Sequence, residues 1–353
     1  MKKQHLILGA AFLLVGTACI KDWHKPSPTV VTVSTFAGSL QQGAADGTGV
    51  AALFTKPISV AFDASGNLYV SDQLNCTIRK ITPSAVVTTL AGSGLLGLAD
   101  GQGTSAEFYY PSGIAVNALG YLYVADHNRI RKVSPTGVVT TLAGSGAAGA
   151  ADGKGTEATF WEPTDVALDL SGNLYVTDFL NFKIRKITPD GAVSTFAGSG
   201  VHGTVNGKGT SASFDSPNGV AVDAAGNVYV SEEITNLIRK ITPDGVVTTL
   251  AGSTARGSKD GNGTSASFYY PLGMCLDASG NLYVADNGGN KIRKVNAKGE
   301  VTTIAGNGVE GFVNGPAASA SFNRPADVAV DALGNIYVAD WQNNMIRKID
   351  TGK

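Results

Sequence analysis

The sequence is short of the residues from which most catalytic centres are assembled. Four His are spread over 353 residues, at positions 5, 24, 127 and 202. The last two fall in different repeats and different loop types, so no three-His zinc site is expected. No Gly-x-Ser-x-Gly elbow occurs, and no Ser-His-Asp set is suggested. Charge is sparse and balanced, with 27 Lys and Arg against 28 Asp and Glu. No basic stripe is present, which argues against a nucleic-acid partner. The longest apolar run, Leu6 to Val15, has ten residues and is too short to span a bilayer. Cysteine is scarce as well, at positions 19, 76 and 275.

That apolar run has a role outside the fold. Lys2 and Lys3 precede it and Gly16-Thr17-Ala18-Cys19 follows it, an order that reads as a secretory leader. Small residues before a Cys resemble a bacterial lipoprotein cleavage site, although Gly16 stands where that motif usually has Leu. The resemblance implies a signal peptide over 1–18, lipidation at Cys19 and a tether over 19–29 containing Pro26 and Pro28. The expected location is the bacterial cell envelope, as an outer-membrane lipoprotein on the periplasmic side or the surface. Membrane contact is expected only through the lipid. Cys76 and Cys275 lie in repeats one and five, which are not neighbours in a ring of six, so both are expected as free thiols.

What is abundant is Gly, at 45 residues, and it falls in register. A Gly recurs at 66, 120, 172, 226, 280 and 334, each followed by a segment like Asn67-Leu68-Tyr69-Val70-Ser71-Asp72. The single short step, in the second repeat, is two residues missing between Asp126 and Arg131. A fixed long period marks a repeat architecture. Each repeat reads as four short strands, with Gly and Pro at the turns and β-branched residues and Tyr between them. Leu68-Tyr69-Val70 is apolar on both sides of its strand, whereas a sheet with one wet face would alternate. Blades packed face to face around an axis explain both observations. The expected fold is therefore an all-β, six-bladed propeller of four-stranded antiparallel blades over 30–353. The sixth repeat ends before its fourth strand, and Val31 to Gly38 matches the missing piece. The N-terminal strand is expected to complete the last blade and remove a bare edge.

The repeated phrase Pro-x-x-Val-Ala-Val-Asp-Ala-x-Gly-Asn-Leu-Tyr-Val-Ala-Asp-x-x-Asn-x-x-Ile-Arg-Lys-Ile runs from Pro57 to Ile81 and recurs through Pro325 to Ile349. It resembles the NHL repeat, and the chain is most similar to bacterial secreted NHL lipoproteins. The resemblance implies a six-bladed propeller. It leaves function open, since similar propellers include binding scaffolds, sensors, lyases and lactonase-like hydrolases.

Internal repetition separates structure from function. A carboxylate ends the second strand of every repeat (Asp72, Asp126, Asp178, Glu232, Asp286, Asp340) and an Arg sits on every third strand (Arg79, Arg131, Arg185, Arg239, Arg293, Arg347). One structural ion pair per blade is expected. The Asp-Gly and Asn-Gly loops at 46, 100, 152, 206, 260 and 314 offer one oxygen donor each, so they read as turns rather than calcium sites. Residues that break the pattern are the functional candidates. On the face carrying the fourth-to-first and second-to-third loops these are Lys56, Tyr109, Tyr110, His127, Trp161, Glu162, Tyr269, Tyr270, Arg324 and Trp341. Aromatics mixed with charges suit recognition of a glycan, a peptide or an envelope protein; they equally suit packing between loops. Near the axis, Asp165 and Asp327 stand where the other repeats have Gly or Ser, and with Asn218 nearby they form a sparse candidate metal or polar-ligand site. The leading expectation is a monomeric, cofactor-free binding module. The alternative is a metal-dependent lactonase or lyase centred on the channel.

Overall fold

The computed structural model describes Met1 and residues 30–352. The signal-peptide, tether and Cys19 lipidation readings fall outside the described residues. No helix among the described residues is long and apolar enough to cross a membrane.

Six antiparallel sheets form a ring. In blade one the strands are Pro57–Phe62, Leu68–Asp72, Thr77–Ile81 and Val86–Ala91, ordered from the axis outward. The expected four-stranded blade is incomplete. A fifth strand of two residues, Gly47–Thr48 in blade one, pairs with the outer edge of the fourth. It lies in the Asp-Gly loop, whose chain must run up the outside of the blade to reach the next inner strand.

The second strand is buried along its whole length in blade one, Leu68–Asp72, which is why its sequence does not alternate. The core is six clusters, one at each blade junction. Between blades one and two, for instance, Tyr69, Ile78 and Ala91 pack against Phe108, Leu122 and Val124. Each blade is therefore dry on both sides only because it has two neighbours.

The last junction is closed by the N-terminal strand. Thr32–Gly38 lies antiparallel to Met345–Asp350, from Thr32 opposite Asp350 to Gly38 opposite Met345. Val33 and Ala37 enter the clusters on either side of blade six. Phe36 meets Tyr337 edge-on at 4.9 Å. Cys76 and Cys275 are free thiols.

Candidate functional site

The loop face is built outward from six buried guanidinium groups. Arg79 donates through Nη1 to Asp72 at 2.8 Å and to the Leu53 carbonyl at 2.9 Å. Its Nη2 reaches Asp46 at 2.9 Å and the Ala45 carbonyl at 3.1 Å. The same guanidinium lies over the Phe54 ring at 5.1 Å. The arrangement recurs in every blade, with Arg131, Arg185, Arg239, Arg293 and Arg347 fully buried. The expected carboxylate–Arg pairs are all formed, at 2.7–2.8 Å. The second partner was not legible in the sequence: the Asp or Asn that opens each Gly loop is the other arm of the Arg clamp. Those loops are thus fastened by protein charge. Burial pushes the carboxyls of Asp72 and Asp340 up to about 6 even with Arg beside them. Desolvation of such a pair is only partly offset by its attraction.

The clamp also aims the next loop. Asp72 accepts the Thr55 backbone N–H at 2.7 Å, and Asp126, Asp178 and Asp286 accept those of Tyr109, Trp161 and Tyr269. The candidate side chains therefore stand on the rim above a charged, rigid layer. Trp161, Tyr110 and Tyr109 are 44%, 40% and 38% exposed, and Glu162 beside them is exposed as well. Tyr109 contacts Tyr110 edge-on at 5.2 Å and His127 at 4.8 Å, so these three form one cluster on blade two.

On the other side of the ring the aromatics are covered by cations of the same or neighbouring loops. The Arg256 guanidinium lies 5.0 Å from the Tyr270 ring and 5.7 Å from Tyr269. Lys56 Nζ lies 5.0 Å over Trp341 and donates to the Gln342 side chain. Arg324 stands exposed near Glu310, at 3.9 Å. Nothing in the repeat pattern marks Arg256, Gln342 or Glu310, whose contacts arise only where the loops fold together.

Along the axial channel, Asp165 and Asp327 line both a chamber of about 170 Å³ on the loop side and one of about 370 Å³ beyond it. Each carboxylate straps its blade to the next. Asp327 accepts Ser59 Oγ at 2.7 Å and the Val60 N–H at 3.0 Å, and Asp165 accepts the Val220 N–H at 2.8 Å. The Gly residues on the preceding blades make room for them. A Cβ on Gly113 would stand 2.2 Å from Asp165 Oδ1, and one on Gly273 2.1 Å from Asp327 Oδ1. Asn218 lines the loop-side chamber and donates its amide to Glu233 at 3.0 Å. No group of three or more His, Cys, Asp or Glu arranged to hold a metal occurs among the described residues.

Burial raises both channel carboxyls, Asp327 to about 7, and the charge of Asp327 raises Asp165 further. A carboxyl whose pKa is higher folded than unfolded stabilises the fold most below its unfolded value, and that stabilisation is lost as pH rises through its folded value. Thermal stability is therefore expected to fall between pH 5 and pH 8, by on the order of 2 kcal/mol from Asp327 alone. Melting curves across that range should show the decline, and the double change Asp165→Asn, Asp327→Asn should make it shallower, leaving the part due to Asp72 and Asp340. A melting temperature that climbs with pH, or a slope untouched by the double change, would refute the assignment.

Comparison with known proteins agrees with this architecture. A family model described as the NHL repeat matches residues 268–295 and 322–349, and one described as the Teneurin NHL domain matches 97–152. Protein SUPPRESSOR OF QUENCHING 1 of Arabidopsis thaliana is 30% identical over 320 residues, covering 84% of this chain and 30% of that protein. The chain spans less than half the length of the curated relatives it matches first. Among solved structures, a Bacteroides thetaiotaomicron protein of unknown function aligns with a TM-score of 0.71 at 23% identity, covering 90% of this chain and 75% of that one. An auxiliary nutrient binding protein of the same organism aligns at 0.70 and 16% identity, covering 91% and 76%. At such identities the likeness concerns the fold.

Proposed function

The chain is a six-bladed β-propeller built from NHL repeats, and from that premise we propose that it is a non-catalytic binding module of the bacterial cell envelope. Its ligand is a glycan, a peptide or a partner protein met through the loop face. The observation that carries this reading is the open cluster of Tyr109, Tyr110 and Trp161 with Glu162, standing on loops held rigid by the Arg clamps. Large, stiff aromatics on a fixed scaffold bind with little loss of conformational entropy. The auxiliary nutrient binding protein of the same fold is in keeping with it. So is the chemistry of the channel. Its two carboxylates already accept backbone N–H groups and its amide is engaged by Glu233, which leaves a poor ligand set for the metal-dependent lactonase or lyase alternative.

Anchoring by lipid at Cys19 is part of the same proposal. The first described strand starts at Thr32, paired with Asp350, at the end of the ring opposite the long loops. A tether over 19–29 would leave the loop face directed away from the membrane.

A binding screen with glycans, peptides and envelope extract tests the reading. The combined change Tyr109→Ala, Tyr110→Ala, Trp161→Ala is expected to weaken binding at least tenfold while the melting temperature stays within a few degrees. Undiminished affinity in that variant would place the ligand elsewhere.

A further inference from the structure

The six residues that precede the leading prolines, Lys56, Tyr110, Glu162, Ser216, Tyr270 and Arg324, all hold a left-handed backbone, with φ between 50° and 59°. That conformation costs a residue with a Cβ about 1 kcal/mol or more. In four of them the strained N–H donates to an Asn Oδ1 of the preceding blade: Lys56 to Asn344, Glu162 to Asn128, Tyr270 to Asn236 and Arg324 to Asn290. One side chain is thereby set on the loop face at every blade junction. Around the ring they run Arg324, Lys56, Tyr110, Glu162, Ser216, Tyr270, so the two cations are neighbours.

Arg256, stacked on Tyr269 and Tyr270, extends that pair to a third blade. Opposite them, on blades three and four, lie exposed Glu162 and half-buried Glu233, while Asp215 is buried against His202 at 3.0 Å. Across the ring from the three cations, Glu162 and Glu233 thus give the face a more acidic side, although Arg129 and Lys183 also reach the loops of blades two and three. The basic side is poorly neutralised. Among the described residues, neither Arg256 nor Lys56 has a carboxylate within ion-pair distance, and Arg324 has only exposed Glu310 at 3.9 Å. The buried Arg groups, by contrast, each hold a charged partner at 2.7–2.8 Å. A guanidinium lying on an aromatic ring keeps its N–H edge free, and that edge matches the two oxygens of a carboxylate or sulfate.

We propose that Arg256, Arg324 and Lys56 form a docking sector for the carboxylate or sulfate groups of an acidic oligosaccharide. Packed sheets lie roughly 10 Å apart, so cations on three successive blades span roughly 20 Å. That spacing fits a chain of anionic sugars rather than one small anion. Trp161, Tyr110 and Tyr109, nearer the acidic side, offer the flat apolar surfaces on which sugar rings stack. The inference deepens the binding-module reading and rests on it.

The test is a titration of the full chain with three probes of equal length: a galacturonate oligosaccharide, a sulfated oligosaccharide and a neutral galactose oligosaccharide. At least one acidic probe is expected to bind tenfold or more tighter than the neutral one, and to weaken as salt rises. Which of the two does so identifies the anionic group. The combined change Arg256→Gln, Arg324→Gln, Lys56→Gln should abolish that preference without shifting the melting temperature by more than a few degrees. The single change Arg256→Gln, on an exposed loop, should lower it severalfold. Equal binding of acidic and neutral probes that is still lost with Tyr109→Ala, Tyr110→Ala, Trp161→Ala would overturn this inference and leave the binding module standing. Acidic-probe binding that survives the triple Gln change, or no binding of any probe, would overturn it as well.

Discussion

Deleting residues 30–38 is expected to abolish cooperative folding. The segment supplies the fourth strand of blade six, and with it one outer edge, two core clusters and the link between the chain ends. Burying Val33, Ala37 and Phe36 contributes on the order of 5 kcal/mol by area. The ladder to Met345–Asp350 adds about 1 kcal/mol per hydrogen bond. Together these approach the 5–15 kcal/mol that holds a typical domain. Without the strand, Met345–Asp350 becomes an unpaired sheet edge, which favours aggregation. Thermal melting with light scattering checks this. Grafting the deleted segment after Lys353, through a turn like Thr82–Ala85, is expected to restore the transition, since the strand would enter the same sheet as an ordinary hairpin. A deletion variant that melts like the parent would show that the ring is not closed there.

Changing Arg79 to Met is expected to cost about 3–5 kcal/mol. The side chain leaves Asp72 buried without its counter-charge and frees the carbonyls of Leu53 and Ala45, and breaking one partner of a buried pair carries a penalty of that size. Arg79→Lys should recover little of it. A Lys carries no planar fork to reach Asp72 and Asp46 together. Asp46→Ala should cost less than 1.5 kcal/mol, because the Asp46 side chain is half exposed, at 52%. Chemical or thermal unfolding of the three variants orders them. Equal losses for Arg79→Met and Asp46→Ala would mean that the outer arm, rather than the buried pair, carries the clamp.

Much of this architecture could be read before any coordinates. The six-fold recurrence of the segment typified by Leu68-Tyr69-Val70 gave blade number and strand order, because both faces of a propeller blade are dry and the pattern cannot alternate. Closure was legible from what the sixth repeat lacks. What escaped were features with no periodic signature. Gly47–Thr48 is too short a strand to show alternation. The bond from Arg79 to Asp46 joins residues 33 apart, in a loop that sequence marks only as a turn. The covering of Tyr269, Tyr270 and Trp341 depends on Arg256 and Lys56, whose contacts are set by the fold rather than by spacing. Exposure therefore divides the candidate aromatics, which looked uniform: Tyr109, Tyr110 and Trp161 are open, and Tyr269, Tyr270 and Trp341 are covered.

The proposed ligand meets the long-loop side of a closed ring. Comparing loop-face and opposite-face variants in one ligand titration tests this most directly. Leu119 and Leu170, 76% and 88% exposed on turns at the far end of blades two and three, supply the control. Affinity lost with Tyr109→Ala, Tyr110→Ala, Trp161→Ala and kept with Leu119→Ala, Leu170→Ala is the predicted outcome; the reverse pattern would contradict the account.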